Sequence, residues 1–132
     1  MKKRKILIVL LTVLAVVIVG GAAIYLKLSQ NLAQLEALTI TEVDLSRAAD
    51  GDYTGSYSTF PVSAEVRVSI ADHRITAIEL VRHDHGQGKP AEVIPQQVVA
   101  AQSLQVDSIS GATYSSRVIL KAIEAALLEA TR

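Results

Sequence analysis

The clearest potential for chemistry lies in the turn at residues 107–113, Asp-Ser-Ile-Ser-Gly-Ala-Thr, which directly precedes a helical pattern. Backbone N–H groups and the helix dipole favour a phosphate at such a position. Asp107 and Thr113 bracket the turn, and the Thr113 hydroxyl could hold a phosphate by an ester bond as well as by hydrogen bonds. The alternative is an ordinary helix-entry turn, because Ser, Gly and Thr commonly cap helices and bend the backbone.

A second candidate is the histidine-containing segment at residues 83–89, His-Asp-His-Gly-Gln-Gly-Lys. His83 and His85 could ligate a metal ion through their imidazole nitrogens. However, His73 belongs to an earlier turn, and the glycines indicate a flexible segment. A solvated loop is therefore favoured, and no metal ligand is assigned.

Several function classes are excluded by what the chain lacks. It contains no cysteine, so thiolate catalysis, disulfides and iron–sulfur clusters are impossible, and redox chemistry would require a bound cofactor. No nucleophile elbow, dinucleotide-binding glycine pattern or phosphate-binding Walker sequence occurs. From residue 27 onward the chain contains nine Lys and Arg residues and thirteen Asp and Glu residues. This excess of negative charge argues against nucleic-acid binding.

The residues that must position these candidates are predicted to form strands first and helices afterwards. Residues 50–57 begin with turn residues and then alternate, and residues 62–70 alternate strictly between apolar and polar side chains. Residues 71–74 fit a hairpin turn, and residues 75–82 fit the partner strand. We therefore expect a small antiparallel sheet whose apolar face needs a cover.

Two helices near the C-terminus can supply that cover. The first is predicted over residues 91–103, with Pro95 weakening its early turns. The second presents apolar residues at helical spacing, with Ser115 or Ser116 as its N-cap. The predicted fold class is α+β, a small antiparallel sheet packed by two C-terminal helices and preceded by one N-terminal transmembrane helix.

Residues 6–26 are predicted to be that transmembrane helix. These 21 residues carry no charge and, at roughly 1.5 Å per residue, can cross a hydrocarbon core of about 30 Å. Residues 1–5 form a basic cap, so the positive-inside rule predicts a cytoplasmic N-terminus and an extracytoplasmic domain in a single-pass cell-membrane protein. A cleaved signal peptide is the alternative, because residues 20–23 are small. The apolar run continues to Leu26, which favours a retained anchor.

The remaining chain divides into a stalk or linker at residues 27–50 and a folded domain at residues 51–132. Residues 29–38 contain good helix formers, and this segment is either a helical continuation or a frayed linker. Residues 39–50 are predicted to be a polar connector.

The motif at residues 107–113 fills every position of the pattern D-x-x-[S/T]-G-A-[T/S], the flavinylation motif of the FMN-binding domain family. The wider order of segments between residues 51 and 128 also resembles the single-domain form of that family. Similar domains occur in the sodium-pumping NADH:quinone reductase and in a related ferredoxin-dependent complex of the Rnf type.

The resemblance implies covalent FMN, joined through its phosphate to Thr113 by a dedicated FMN transferase. It also implies an electron-transfer role between donor and acceptor proteins or a quinone. The implied cofactor-binding residues are those of the motif, its neighbour and the histidine-containing loop: Asp107, Ser110, Gly111, Ala112, Thr113, Tyr114, His83, Gly86 and Gly88. The alternatives are a non-covalent flavin-binding sensor and an anchored interaction domain without a cofactor.

Overall fold

The computed structural model describes all 132 residues and has the predicted α+β order of elements. Its helices and strands are α1 (Lys2–Glu36), β1 (Gly51–Thr59), β2 (Val62–Ala71), β3 (Arg74–Asp84), α2 (Ile94–Ala101) and α3 (Thr113–Ala130). Single 3-10 turns occupy Leu45–Arg47 and Lys89–Val93. The strands form one antiparallel sheet in the order β1-β2-β3, and the helices at the C-terminal end pack against it.

The central strand β2 follows the strict alternation of the sequence. Its apolar side chains at every second position are buried: Val62, Ala64, Val66, Val68 and Ile70. A two-residue turn joins β2 to β3, with Asp72 and His73 at φ values of 52° and 59°. Positive φ at both central residues is typical of the tight hairpin turn that matches strand twist. The predicted hairpin at residues 71–74 is therefore confirmed.

Strand β3 contains two irregularities in its pairing with β2, and the one nearer its C-terminal end redirects the residues that follow. Leu80 pairs with Val66 and Arg82 pairs with Glu65, which leaves Val81 without a partner. One extra residue reverses the alternation of side chains that follow it. His83 consequently lies opposite the buried Ala64 and faces the interior. The strand thus extends through His83 and Asp84, which the sequence pattern places in a loop.

Helix α3 covers the sheet, and its contact with β1 is unusually close. A Cβ atom at Gly55 would lie 2.5 Å from the backbone nitrogen of Ala126 and would also overlap the carbonyl oxygen of Ala122. Only a residue without a side chain permits this approach. The largest fully buried side chains of α3, Ile119, Ile123 and Leu127, fill the space between helix and sheet.

The first C-terminal helix is shorter than the predicted range of residues 91–103. Lys89–Val93 forms a 3-10 turn, and α2 begins at Ile94 with Pro95 in its first turn. A proline there removes no helical hydrogen bond, which explains why the α-helix starts at this point. The helix ends at Gln102, which adopts a left-handed conformation and whose side-chain amide bonds the backbone N–H and carbonyl groups of Ile75.

The prediction that Ser115 or Ser116 caps α3 is wrong. The helix begins at Thr113, and its N-cap residue is Ala112, which provides no side-chain cap. Ser115 and Ser116 are buried in the first turn. The Ser116 hydroxyl donates to the carbonyl oxygen of Ala112 at 2.8 Å, the backward bond that a serine inside a helix commonly makes.

Helix α1 is continuous from Lys2 to Glu36, so residues 29–36 extend the helix. Its apolar side chains between Ile6 and Leu26 are exposed, and by length and composition it could span a membrane. The opposite end of the helix contacts the domain, because Leu35 is fully buried. Val43 and Ala48 in the following connector also belong to the core.

Candidate functional site

A cleft of about 300 Å³ lies where four parts of the chain meet, and several predicted site residues line it. Its volume is at the lower end of the range for small-molecule pockets. The lining comes from α1, the β1–β2 hairpin, the loop after β3 and the start of α3: Leu28, Leu32, Pro61, Val62, Gly86, Gln87, Gly88, Gly111, Ala112, Tyr114 and Ser115.

The start of α3 forms one wall of the cleft and carries the predicted attachment residue. Thr113 is exposed and is the first residue of the helix, while its neighbours Ala112 and Tyr114 both line the cleft. No side chain caps this end of α3. The first backbone N–H groups of a helix have no intrahelical acceptor and attract an anion. Thr113 itself does not line the cleft, but it lies at an exposed helix N-terminus between two residues that do.

The turn before Thr113 is held from inside the helix by Ser116. The Ser116 hydroxyl accepts a hydrogen bond from the backbone N–H of Ile109 at 3.0 Å, and it donates to Ala112. The Ala112 N–H also donates to the carbonyl oxygen of Ile109 at 2.9 Å. These bonds fix the backbone on both sides of Gly111, whose φ of 79° is a conformation that glycine adopts without strain.

Asp107 and Ser110, the other polar residues at defined positions of the motif, do not line the cleft. Asp107 and Ser110 are both exposed, Asp107 in the irregular segment after α2 and Ser110 in the turn before α3. Gly111 and Ala112 are the two residues of the turn that line the cleft itself.

Tyr114 links the cleft to the long N-terminal helix. Its phenol donates a hydrogen bond to Oε1 of Glu36 at 3.2 Å. The negative charge of Glu36 raises the pKa of Tyr114 above its usual range, and desolvation and the hydrogen bond act in the same direction. The phenol is therefore held in its neutral, donating form.

The loop after β3 forms a neighbouring wall, and two glycines determine its shape. A Cβ atom at Gly88 would overlap the Ser115 hydroxyl, so the loop can lie against α3 only because this residue has no side chain. At Gly86 the same position is open space. Both glycines line the cleft, and Gln87 lies between them.

His83 is close to the cleft but does not line it. Its side chain is only 2% exposed, and its Nε2 lies 3.0 Å from the Ser115 hydroxyl oxygen. Its Nδ1 lies 3.2 Å from Oε1 of Glu92. His83 thus contacts Ser115, a residue of the cleft wall, without lining the cleft itself. Sequence patterns do not reveal this role, because the strand irregularity that turns His83 inward depends on pairing with β2.

Sequence reasoning did not identify the apolar walls supplied by α1 and the β1–β2 hairpin. Leu28 and Leu32 lie about one helical turn apart, just beyond the apolar run, and line the cleft together with Pro61 and Val62. The i, i+4 spacing of the two leucines indicates that they share one face of the helix and could pack together against another segment. The spacing does not indicate which segment that is.

Comparison with known proteins identifies the family. The FMN-binding domain family matches residues 61–128, which is more than half of the chain. The chain therefore belongs to this family, and the resemblance carried by the motif and its surroundings is confirmed. A comparison with curated proteins found no match.

The residues of the cleft fit an FMN group. Leucine, valine, proline and tyrosine side chains provide an apolar surface suited to a flat aromatic ring system. The uncapped start of α3 suits a phosphate, and the open space at Gly86 admits a ligand close to the backbone. An FMN-binding domain preceded by an apolar helix fits a membrane-anchored FMN protein.

Proposed function

We propose that this protein is a membrane-anchored, extracytoplasmic electron carrier whose FMN is attached through its phosphate to Thr113. The observation that carries the proposal is the position of Thr113. This residue is exposed, lies at an uncapped helix N-terminus and adjoins a cleft lined by apolar residues and glycines. A phosphoester at its hydroxyl would lie where helix N–H groups favour negative charge.

Each part of the cleft has a separate task in this proposal. Tyr114, Leu28 and Leu32 provide the apolar surface for the ring system, and Gly86 leaves room for it. Ser116 holds the turn that presents Thr113. When bound, FMN supplies the electron-transfer chemistry that a chain without cysteine cannot supply itself. The chain tethers, orients and shields the cofactor.

Attachment requires a partner enzyme, an FMN transferase. The turn suits this step because Asp107 and Ser110 are exposed in the segment that leads to Thr113. The small residues Gly111 and Ala112 leave the backbone accessible to an enzyme pocket. We assign Asp107 to recognition by the transferase.

The partners for electron transfer are expected at the membrane surface. Leu28 and Leu32 follow the apolar run that ends at Leu26, so the cleft begins within about 10 Å of the end of that run along the helix axis. The exposed Phe60 at the tip of the β1–β2 hairpin lines a surface pocket together with Ile24, which lies inside the run. A membrane-bound donor or acceptor protein, or a quinone, would reach this cleft more directly than a partner in solution.

Flavin fluorescence in a denaturing gel tests the proposal. The full-length protein is expressed with and without an FMN transferase, and we expect a fluorescent band only with the enzyme. A band that requires no transferase, or no band under either condition, contradicts covalent attachment by this route.

Three variants locate the bond. Thr113→Ala is expected to abolish the fluorescence, whereas Thr113→Ser keeps a hydroxyl and retains it. Ser108→Ala is the matched control, since Ser108 is an exposed hydroxyl residue in the same segment at a variable position of the motif. Loss of the label in Ser108→Ala, or its survival in Thr113→Ala, would contradict attachment at Thr113.

A further inference from the structure

The fold brings a third ligand-type residue to the two histidines of the loop. Glu92 belongs to the 3-10 turn Lys89–Val93, and ligand atoms of His83, His85 and Glu92 all lie within 4.8 Å of one another. The sequence alone shows only the two histidines as a neighbouring pair. We infer that His83, His85 and Glu92 form a binding site for a divalent transition-metal ion of the zinc type.

The two distances that involve Glu92 are close to those between ligands of a zinc ion. Oε1 of Glu92 lies 3.2 Å from Nδ1 of His83 and 3.6 Å from Nε2 of His85. Zinc bonds to nitrogen and oxygen are about 2.0–2.1 Å long, so two ligands at tetrahedral angles are roughly 3.3 Å apart. Both pairs are near this separation. The ligand nitrogens of the two histidines are no more than 4.8 Å apart, so rotation of the partly exposed His85 side chain would bring all three groups onto one ion.

The surroundings of His83 provide the support that a metal-ligating histidine requires. Its Nε2 lies 3.0 Å from the Ser115 hydroxyl oxygen, so a proton on Nε2 can be donated to that oxygen while Nδ1 offers its lone pair to the ion. The ring is almost completely buried, which fixes its orientation. His85 and Glu92 are partly exposed, at 22% and 38%, and provide a route of entry from solvent.

The three residues offer two neutral nitrogen ligands and one carboxylate. This set is typical of zinc sites with three protein ligands and one further position for water. A bound ion would join β3, the loop and the 3-10 turn, and would restrain the loop whose Gly88 lies against Ser115. The site therefore stiffens one wall of the cleft whether or not flavin is attached.

Zinc titration by calorimetry tests the inference on the full-length protein in detergent micelles, purified with a tag that contains no histidine. The wild type is expected to bind one equivalent of Zn²⁺ saturably. His85→Ala and Glu92→Gln are each expected to weaken binding at least about tenfold. His73→Ala is the control, because His73 bonds the carbonyl oxygen of Ala48 away from this site, and it should bind as the wild type does.

Thermal unfolding supplies a second measurement that does not depend on calorimetric fitting. An ion that binds only the folded state raises the melting temperature of the protein. Zn²⁺ should therefore stabilise the wild type and His73→Ala but not His85→Ala. Melting curves without zinc also verify that each variant is folded. Absence of saturable zinc binding by the wild type, or unchanged binding by His85→Ala, would overturn the inference.

Discussion

The phenol of Tyr114 donates a hydrogen bond to the carboxylate of Glu36, and this bond joins the helix that begins at Thr113 to the end of the apolar N-terminal helix. The two residues are 78 positions apart in the chain. Arg117 and Lys121 on the same helix make parallel contacts with the carbonyl oxygens of Leu38 and Thr39. The candidate cofactor site is thereby fixed to the segment that follows the apolar run.

The Tyr114–Glu36 pair predicts that the stability of the folded protein decreases at alkaline pH. Because the negative charge of Glu36 raises the pKa of Tyr114, the folded state holds its phenolic proton at a pH where the unfolded chain releases it. This contribution to stability is complete below about pH 10 and is lost as the pH rises through the raised value. Ultraviolet absorbance follows the titration of tyrosine, and Glu36→Gln should shift the Tyr114 component to lower pH. An unchanged titration curve in Glu36→Gln would contradict the assignment.

Gly88 and Gly86 form a matched pair for testing the shape of the cleft. Gly88→Ala places a methyl group against the Ser115 hydroxyl, and we expect a loss of about 1–3 kcal/mol in the free energy of unfolding. Gly86→Ala points into open space and should change stability much less. Denaturant unfolding of the flavin-free full-length protein measures both variants. Equal effects at the two positions would show that the loop does not pack on α3 as described.

Ser116 is predicted to control how well the motif is presented. Ser116→Ala leaves the backbone N–H of Ile109 without its acceptor, which should cost about 1–3 kcal/mol of stability. It should also slow flavin attachment, because the turn before Thr113 loses its internal support. A time course of gel fluorescence with transferase measures the rate, with Ser108→Ala as the control. Wild-type kinetics in a folded Ser116→Ala protein would argue against this role.

The hairpin tip is expected to touch the membrane interface. Phe60 is 67% exposed and lines the same surface pocket as Ile24. The Asn31 side-chain amide on α1 donates a 3.1 Å hydrogen bond to the Phe60 carbonyl oxygen. Aromatic side chains favour this interface. The chain contains no tryptophan, so Phe60→Trp introduces a single fluorescent reporter. Brominated lipids in vesicles should quench it strongly.

The control for this experiment is Leu128→Trp. Leu128 is exposed near the C-terminal end of α3, roughly 20 Å along the helix from Thr113. Its fluorescence should be quenched little by the same lipids. Equal quenching at the two positions would place the domain in a different orientation to the bilayer.

Local patterns were sufficient to predict most of the sheet and the order of elements. The alternation over residues 62–70 reflects burial on one face of β2. The tight turn depends only on Asp72 and His73, which adopt positive φ at its two central positions. The motif at residues 107–113 was predicted to precede a helix, and α3 begins at its last residue. These features depend on a residue and its close neighbours in sequence.

Features that depend on pairing or long-range packing were not predictable from the chain alone. The inward direction of His83 follows from an unpaired Val81, which only the register with β2 reveals. The proximity of Glu92 to the two histidines requires the 3-10 turn to fold back toward β3. The cleft walls at Leu28 and Pro61 come from segments about 30 residues apart in the chain. Ser116 was expected to cap the helix because its buried environment could not be known.

Mass spectrometry of one peptide tests the central claim most directly. Trypsin should release residues 83–117 as a single peptide, since Pro90 protects the bond after Lys89. In protein matured with an FMN transferase, this peptide should gain the mass of one FMN less one water, and fragmentation should assign the gain to Thr113. An unmodified peptide, or a modification assigned to another residue, would contradict the account.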